Sequence, residues 1–151
     1  MTNLLAWVLA AGAAVAGAAD RPRPQLERYT SAATRDLKLP FSEAVRVGDL
    51  LFLSGQIGLQ PGTRVLVPGG IVPETRQTLE NVKRILEAYG SSMDRVAKCT
   101  VFLADMADWP KVNEVYVTYF GAALPARSAL GASGLALGAR VEVECIGVAG
   151  P

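Results

Sequence analysis

Residues 73–90, PETRQTLENVKRILEAYG, decide the fold class because they carry the clearest helical pattern in the chain. Apolar side chains and one threonine recur there at spacings of three and four, so they fall on one helical face. These positions are Thr75, Leu79, Val82, Ile85, Leu86 and Tyr89. Pro73 and Glu74 suit a first helical turn, and Gly90 suits the end of the helix. The stretch predicts an amphipathic helix with one buried face.

The residues before this helix predict a β-hairpin. Residues 44–47 (AVRV) and 50–54 (LLFLS) are rich in β-forming side chains. The Gly48-Asp49 pair between them is typical of a tight hairpin turn. The glycines and prolines of residues 58–70 predict a loop that leads into the helix.

The residues after the helix predict a strand, a second helix and two more strands. Residues 96–103 (VAKCTVFL) are β-rich, and Asp108 with Pro110 suits the start of a helix. The last strands are predicted at 127–130 and 140–148.

The resulting order, β-β-α-β-α-β-β, predicts an α+β fold with one antiparallel or mixed sheet and both helices on one face. The other face of such a sheet must also be covered. In a chain that is 50% hydrophobic, oligomerisation is the natural way to cover it.

The composition excludes several classes of chemistry. The chain has 151 residues, a formal net charge of +1, two cysteines and no histidine. This length favours one domain. The absence of histidine excludes Ser-His-Asp and Cys-His catalysis as well as metal sites built on imidazole, and two cysteines cannot form a four-thiolate zinc site. The balanced charge provides no overall field that would attract nucleic acid.

The N-terminal segment has a different composition from the rest of the chain. Residues 1–19 contain no charged side chain, and their apolar run ends in small residues that suit signal-peptide cleavage. A basic n-region is missing, and Arg21 and Arg23 oppose the usual charge bias. We expect a cleaved signal peptide and a periplasmic or secreted protein. An uncleaved anchor, or a cytoplasmic protein whose first residues are not a signal, are the alternatives.

A polar linker is predicted between this segment and the domain. Pro22 and Pro24 disfavour a helix. The charged residues Arg35, Asp36 and Lys38 follow without apolar periodicity. We therefore expect residues 20–38 to form an extended linker and residues 39–151 to form the domain.

Arg127 is the first candidate for a functional residue. It follows Pro125-Ala126 at the start of a strand of small and apolar residues, where a partly buried guanidinium would need a carboxylate or phosphate partner. From its position alone, a structural ion pair or a solvated strand end is the favoured explanation of this arginine.

Two glutamates on the last strand are the second candidate. Strand alternation places Glu142 and Glu144 on the face opposite Val141 and Val143. Because Ile146 continues the glutamate face, a carboxylate there is expected to be paired or to have a raised pKa. A charged row on an edge strand is the alternative.

Other polar positions carry weaker signals. Gly55, after Ser54, suits either a close approach to a ligand or a β-bulge, and Asn113 on the second helix is either a ligand donor or solvated. Cys99 and Cys145 lie in apolar strands, where buried inert thiols are usual, although an exported protein could join them.

Four stretches together resemble the RidA/YjgF family of reactive-intermediate (imine/enamine) deaminases. They are LPFSEAVRVGDLLFLSGQIG, RQTLENVKRILEAYGSS, KCTVFLADMADWPKVNEVY and LPARSALGASGLALGARVEVECIGV. The resemblance covers residues 39–148. The arginine of PARS, with the glutamate of VEVE fifteen residues further on, is its most specific part. It implies a chorismate-mutase-like subunit that forms homotrimers, with the sites in clefts between subunits.

The resemblance also implies roles for individual residues. Arg127 matches the arginine that binds the substrate carboxylate, and Glu142 matches the glutamate that positions the hydrolytic water. Ser54 with Gly55 matches the backbone lining of the cleft, and Asn113 matches a residue at its rim.

Two positions depart from the pattern of the family. Phe41 stands where many members have a cleft tyrosine, and Ala129 stands where many have a cysteine. Phe41 would keep the aromatic wall without the hydroxyl, and the backbone carbonyl of Ala129 could still contact the imine nitrogen.

The implied reaction is hydrolysis of 2-imino or enamine acids to a 2-oxo acid and ammonia, with no cofactor and no metal. The C=N carbon is itself electrophilic, so water can attack it once a carboxylate accepts the proton. The alternatives are a non-catalytic small-molecule-binding or chaperone-like trimer and, less favoured because there is no basic stripe, an endoribonuclease.

Overall fold

The computed structural model of the protein describes residues 25–150. Within that range the chain forms seven strands and three α-helices. The strands are β1 (Leu26–Tyr29), β2 (Ala44–Val47), β3 (Leu50–Leu53), β4 (Gln56–Ile57), β5 (Val96–Leu103), β6 (Ala126–Gly131) and β7 (Val141–Val148). The helices are α1 (Ala32–Asp36), α2 (Ile71–Ala88) and α3 (Trp109–Phe120). No helix of the described range has the length and apolar character needed to cross a membrane.

The strands form one mixed sheet in the order β1-β2-β3-β7-β5-β6, with β4 paired to β7. β5 and β6 are parallel, and the other pairs are antiparallel. This confirms the predicted α+β class, and the two predicted helices and five predicted strands are all present. β1, α1 and β4 are additions to the predicted order.

The core lies between one face of the sheet and the two long helices. Each of β3, β5 and β7 turns alternate residues toward α2 and α3, so that a single cluster of buried side chains forms. The predicted α2 face is confirmed by Leu79, Val82, Ile85 and Leu86, none of which has exposed area. On α3, Phe120 is buried, whereas the hydroxyl of the partly exposed Tyr119 donates to Glu80 Oε1 at 2.7 Å.

The opposite, outer face of the sheet carries exposed apolar side chains. The pairing register places Leu50, Phe52 and Leu130 on this face, together with Glu142 and Glu144. All three apolar side chains are exposed. We call this surface the apolar outer face; a lone protomer leaves it uncovered.

The prediction of a linker over residues 20–38 is wrong for Leu26–Asp36. β1 pairs with β2 from Leu26↔Val47 to Tyr29↔Ala44, and Ser31 caps α1 by accepting a hydrogen bond from the Thr34 backbone. The domain therefore starts at β1 and not at residue 39. The predicted signal peptide, residues 1–19, lies outside the described residues.

Candidate functional site

The Glu142 part of the site is built by a bulge between β3 and β4. The pairing with β7 slips by one residue between Phe52↔Ile146 and Gln56↔Val143, so Ser54 and Gly55 form the bulge. A Cβ atom on Gly55 would overlap Glu142 Oε1, so only glycine lets the backbone pass this close to the carboxylate. The structure confirms the bulge that the sequence offered as one alternative, and the backbone of Gly55 passes close to the Glu142 side chain. The other alternative, an approach to a ligand, stays a prediction.

Side chains around the bulge hold it in place. The Ser54 hydroxyl donates to the Ser42 carbonyl at 2.7 Å, and the Gln56 amide donates to the Ser54 and Gly55 carbonyls at 3.0 and 3.2 Å. From α2, the buried Asn81 amide donates to the Ile57 carbonyl at 3.0 Å. The Ser54 hydroxyl is therefore engaged in the fold.

A cleft of 690 Å³ opens beside this bulge. Four of the predicted site residues line it: Phe41, Ser54, Gly55 and Glu142. Phe41 is half-exposed, as expected for an aromatic wall. Burial raises the pKa of Glu142, and the neighbouring Glu144 carboxylate raises it further. A carboxylate in this state is suited to accept a proton from water.

The other three predicted residues lie elsewhere in the protomer. Arg127 and Ala129 are on the edge strand β6, in register with Cys99 and Val101 and so on the side of the sheet that packs against the helices. Asn113 lies on α3. None of the three lines the cleft that contains Glu142.

Arg127 is held by aromatic rings. Its Cζ atom lies 4.5 Å from the ring centroid of Trp109 and 4.4 Å from that of Tyr116. Among residues 25–150, no carboxylate lies within 4.0 Å of its guanidinium nitrogens. The N–H groups of this guanidinium are thus available to an anionic ligand.

Two buried polar atoms on α3 have no hydrogen-bond partner within the described residues: Asn113 Oδ1 and the Tyr116 hydroxyl. Trp109, Asn113 and Tyr116 are spaced four and three residues apart, so they share one face of the helix. The predicted rim residue therefore lies on the stripe that faces Arg127.

The candidate site residues of one protomer therefore lie in two groups on opposite sides of its sheet. Glu142 projects from the outer face beside the bulge, and Arg127 projects from the inner face at the β6 edge. The sequence analysis did not identify Trp109 and Tyr116 as contacts of Arg127. Two aromatic residues seven positions apart on one helix face were the available signal.

No three or more Cys, Asp or Glu side chains in residues 25–150 are grouped as metal ligands. The two cysteines are joined in a disulfide between β5 and β7, at directly paired positions. This resolves the alternatives that the sequence had left open for Cys99 and Cys145.

Comparison with known proteins agrees with this architecture. A family model described as Endoribonuclease L-PSP matches residues 33–149. A mouse (Mus musculus) protein named 2-iminobutanoate/2-iminopropanoate deaminase is 50% identical over 112 residues, which are 74% of this chain and 83% of the mouse protein. A RutC family protein of Pyrococcus horikoshii is 49% identical over 107 residues, 71% of this chain and 85% of that protein.

Among solved structures, RidA from the Antarctic bacterium Psychrobacter sp. superposes with a TM-score of 0.71 at 35% identity, covering 85% of this chain and 99% of the other. The chain belongs to the Endoribonuclease L-PSP family, also called the RidA/YjgF family.

Proposed function

We propose that the protein is a hydrolase that deaminates 2-imino acids and their enamine tautomers, such as 2-aminoacrylate and 2-iminopropanoate, to a 2-oxo acid and ammonia. The single observation that carries this proposal is the guanidinium of Arg127, which is held in place by aromatic rings and faces no carboxylate of the described residues. The name of the mouse relative supports the same reaction.

Arg127 binds the substrate carboxylate in this mechanism. Its planar fork of N–H donors matches the two oxygens of a carboxylate, which orients the substrate. The imine carbon then has a fixed position relative to the remaining groups of the site.

Glu142 positions and activates the water. The water oxygen forms a bond to the imine carbon, the C=N double bond becomes a single bond, and the carboxylate accepts the proton of the water. Return of that proton to nitrogen gives a carbinolamine. Glu142 then takes the hydroxyl proton and passes it to the amino nitrogen, the C–N bond breaks, and the C=O bond of the 2-oxo acid forms as ammonia leaves.

The remaining predicted residues shape the cleft. Phe41 provides an aromatic wall, and the Gly55 backbone lies against the reacting groups because no side chain intervenes. In the combined site proposed below, Asn113 would contribute to the rim from the side of Arg127, and the Ala129 carbonyl is the candidate contact for the imine nitrogen. No cofactor takes part.

A complete site requires two copies of the chain in this proposal. Arg127 and Glu142 lie on opposite sides of one sheet. We therefore infer that the residues around Arg127 in one protomer face the residues around Glu142 in the next protomer. Contacts of this head-to-tail kind close into a ring, and we propose a homotrimer. The apolar outer face, with Leu50, Phe52 and Leu130 exposed, is the surface that the next copy would cover.

The activity can be tested with imines made in the assay. An amino-acid oxidase generates the 2-imino acid, and release of ammonia and 2-oxo acid is followed against a blank without the protein. We expect acceleration by the wild type, loss of most of it in Arg127→Ala, and an unchanged oligomer in size-exclusion chromatography. Ligand binding without acceleration would favour the non-catalytic alternative.

We also propose that the protein is exported. The uncharged residues 1–19 support this, and a disulfide is the state expected of buried cysteines in an oxidising compartment. Cell fractionation with N-terminal sequencing tests it. A mature chain that starts near residue 19 or 20 is expected, and an intact N-terminus in the cytoplasmic fraction would contradict the proposal.

A further inference from the structure

Aromatic rings, and not a carboxylate, orient the proposed carboxylate-binding residue Arg127. The Arg127 side chain leaves the edge strand β6 and lies against α3, with its Cζ atom 4.5 Å from the Trp109 ring centroid and 4.4 Å from the Tyr116 ring centroid. A neighbouring carboxylate could also orient an arginine, but it would compete with an anionic substrate for the N–H groups of the guanidinium. Here the contacts that orient the guanidinium carry no negative charge.

The local sequence explains how both rings reach the same guanidinium. Trp109 and Tyr116 are seven residues apart, about two helical turns, so their side chains project from the same face of α3. Tyr116 is only 3% exposed and packs against Phe120, with the ring centroids 4.5 Å apart. Its ring is thereby fixed in the core before any ligand arrives.

A guanidinium offers two different surfaces for interaction. Aromatic rings attract its positive charge through their faces, whereas a carboxylate accepts hydrogen bonds from its N–H edge. Contact with two rings therefore restricts the long arginine side chain without using the donors that the substrate needs. This restriction lowers the entropy cost of binding.

We propose that Trp109 and Tyr116 form an aromatic clamp that positions the Arg127 guanidinium for the substrate carboxylate. Both are positioning residues, and the inference rests on the proposed role of Arg127. It predicts that the aromatic rings, and not the Tyr116 hydroxyl, position the guanidinium.

Two observations indicate that the ring of Tyr116, and not its hydroxyl, positions Arg127. The Tyr116 hydroxyl has no hydrogen-bond partner within residues 25–150. Burial raises the pKa of Tyr116 to about 12, against a smaller lowering by Arg127. The phenol is therefore neutral near pH 7 and does not act as a counterion for the guanidinium.

The test compares removal of a ring with removal of the hydroxyl alone. Tyr116→Leu and Trp109→Leu remove a ring, whereas Tyr116→Phe and Trp109→Phe keep one. Phe120→Leu is the matched control, because Phe120 is as buried as Tyr116 and touches the same cluster without contacting Arg127. Trp109 is only partly buried, so its leucine variant keeps the test available if Tyr116→Leu does not fold.

Two readouts separate positioning from a structural role. Steady-state kinetics give KM and kcat for the imine, and calorimetry gives the Kd of 2-oxobutanoate and of its amide, which lacks the carboxylate. We expect the leucine variants to raise KM and the Kd of 2-oxobutanoate about tenfold, with kcat within about twofold of the wild type. The Kd of the amide should be the same in the leucine variants as in the wild type. The phenylalanine variants and Phe120→Leu should have the KM and the Kd of the wild type.

Any of three results would overturn the clamp. The Kd of 2-oxobutanoate could stay at the wild-type value in both leucine variants, or it could rise in Tyr116→Phe, or in Phe120→Leu, as much as in Tyr116→Leu. The calorimetric readout does not depend on turnover. A wild-type protein that binds 2-oxobutanoate through the clamp without hydrolysing imines would therefore refute the proposed function and leave this inference standing.

Discussion

Glu142 and Glu144 lie two residues apart on the same side of β7, and their proximity tunes the proposed base. Burial and the Glu144 carboxylate both favour the protonated form of Glu142. Because Glu142 must be ionised to accept a proton from water, activity should rise with pH through its raised pKa.

Replacing Glu144 by glutamine removes the like charge and should lower the pKa of Glu142. The acid limb of the kcat/KM profile should then move to lower pH while the plateau stays unchanged. Glu87→Gln, an exposed carboxylate on α2, is the control. An acid limb that stays in place in Glu144→Gln would show that Glu142 does not set it.

Gly55 is required by the space that Glu142 occupies. A Cβ atom at position 55 would overlap Glu142 Oε1, so in Gly55→Ala the carboxylate must move. We expect kcat/KM to fall about 100-fold, and the free energy of unfolding to change by less than about 1 kcal/mol because only a flexible side-chain end is displaced.

The matched control for this substitution is Gly134→Ala. Gly134 has no heavy atom near the position of an added Cβ, and its φ lies outside the left-handed region. Near wild-type activity in Gly55→Ala would contradict the placement of Glu142 in the reaction.

At the scale of secondary-structure elements, the disulfide joins two neighbouring interior strands of the sheet. Cys99 and Cys145 occupy directly paired positions on β5 and β7, and Cys99 is also in register with Arg127 on β6. The bond therefore lies close to the strand that carries the proposed carboxylate-binding residue.

Removing the disulfide should destabilise the fold through the entropy of the unfolded chain. For a sequence separation of 46 residues, loop closure contributes about 4 kcal/mol. When dithiothreitol reduces the disulfide, the free energy of unfolding of the wild type, measured with urea, should fall by about 4 kcal/mol. Cys99→Ala/Cys145→Ala should not respond to the reductant, and a wild type that also does not respond would contradict the assignment of a structural disulfide.

Glu43 connects α1 to the rest of the domain. Its buried carboxylate accepts hydrogen bonds from the Ser31 backbone at 2.8 Å, the Thr34 hydroxyl at 2.6 Å and the Tyr89 hydroxyl at 2.8 Å. The Arg84 guanidinium lies 3.6 Å away. Burial raises the pKa of Glu43, but the hydrogen bonds from Thr34, Ser31 and Tyr89 outweigh it, and the net effect is a lowered pKa.

Glu43→Gln should therefore lower the free energy of unfolding by about 2 kcal/mol at pH 7. Since the folded-state pKa lies below the ordinary value of 4.5, the contribution of Glu43 is complete above that value and is lost as the pH falls below it. Urea unfolding of both proteins between pH 7 and pH 3 measures this. Glu27→Gln on exposed β1 is the control, and a difference that did not shrink in acid would contradict the assignment.

At the scale of the whole molecule, the elements with a clear periodic pattern were predictable from sequence. The α2 stripe at three- and four-residue spacing, the Gly48-Asp49 hairpin and the alternation of β7 all correspond to local rules, and the structure confirms them. β1 and α1 follow no such local rule. β1 forms by pairing with β2, and the start of α1 is held by the Glu43 carboxylate, twelve residues from Ser31.

The arrangement of the site was less predictable. The family resemblance assigned Arg127 and Glu142 to one site, yet the register of β5 with β6 and β7 turns them to opposite faces of the sheet. The contact of Arg127 with Trp109 and Tyr116 depends on tertiary packing between an edge strand and a helix, which no single stretch of sequence reveals.

The central claim is that each active site combines Arg127 of one protomer with Glu142 of another. The most direct measurement is complementation between Arg127→Ala and Glu142→Gln subunits that carry different affinity tags and are co-expressed. Each variant alone should be inactive. Equal mixing should restore about a quarter of the wild-type activity, because a head-to-tail ring then forms intact sites at about one interface in four. Two inactive variants whose mixed assemblies remain inactive would contradict the shared site.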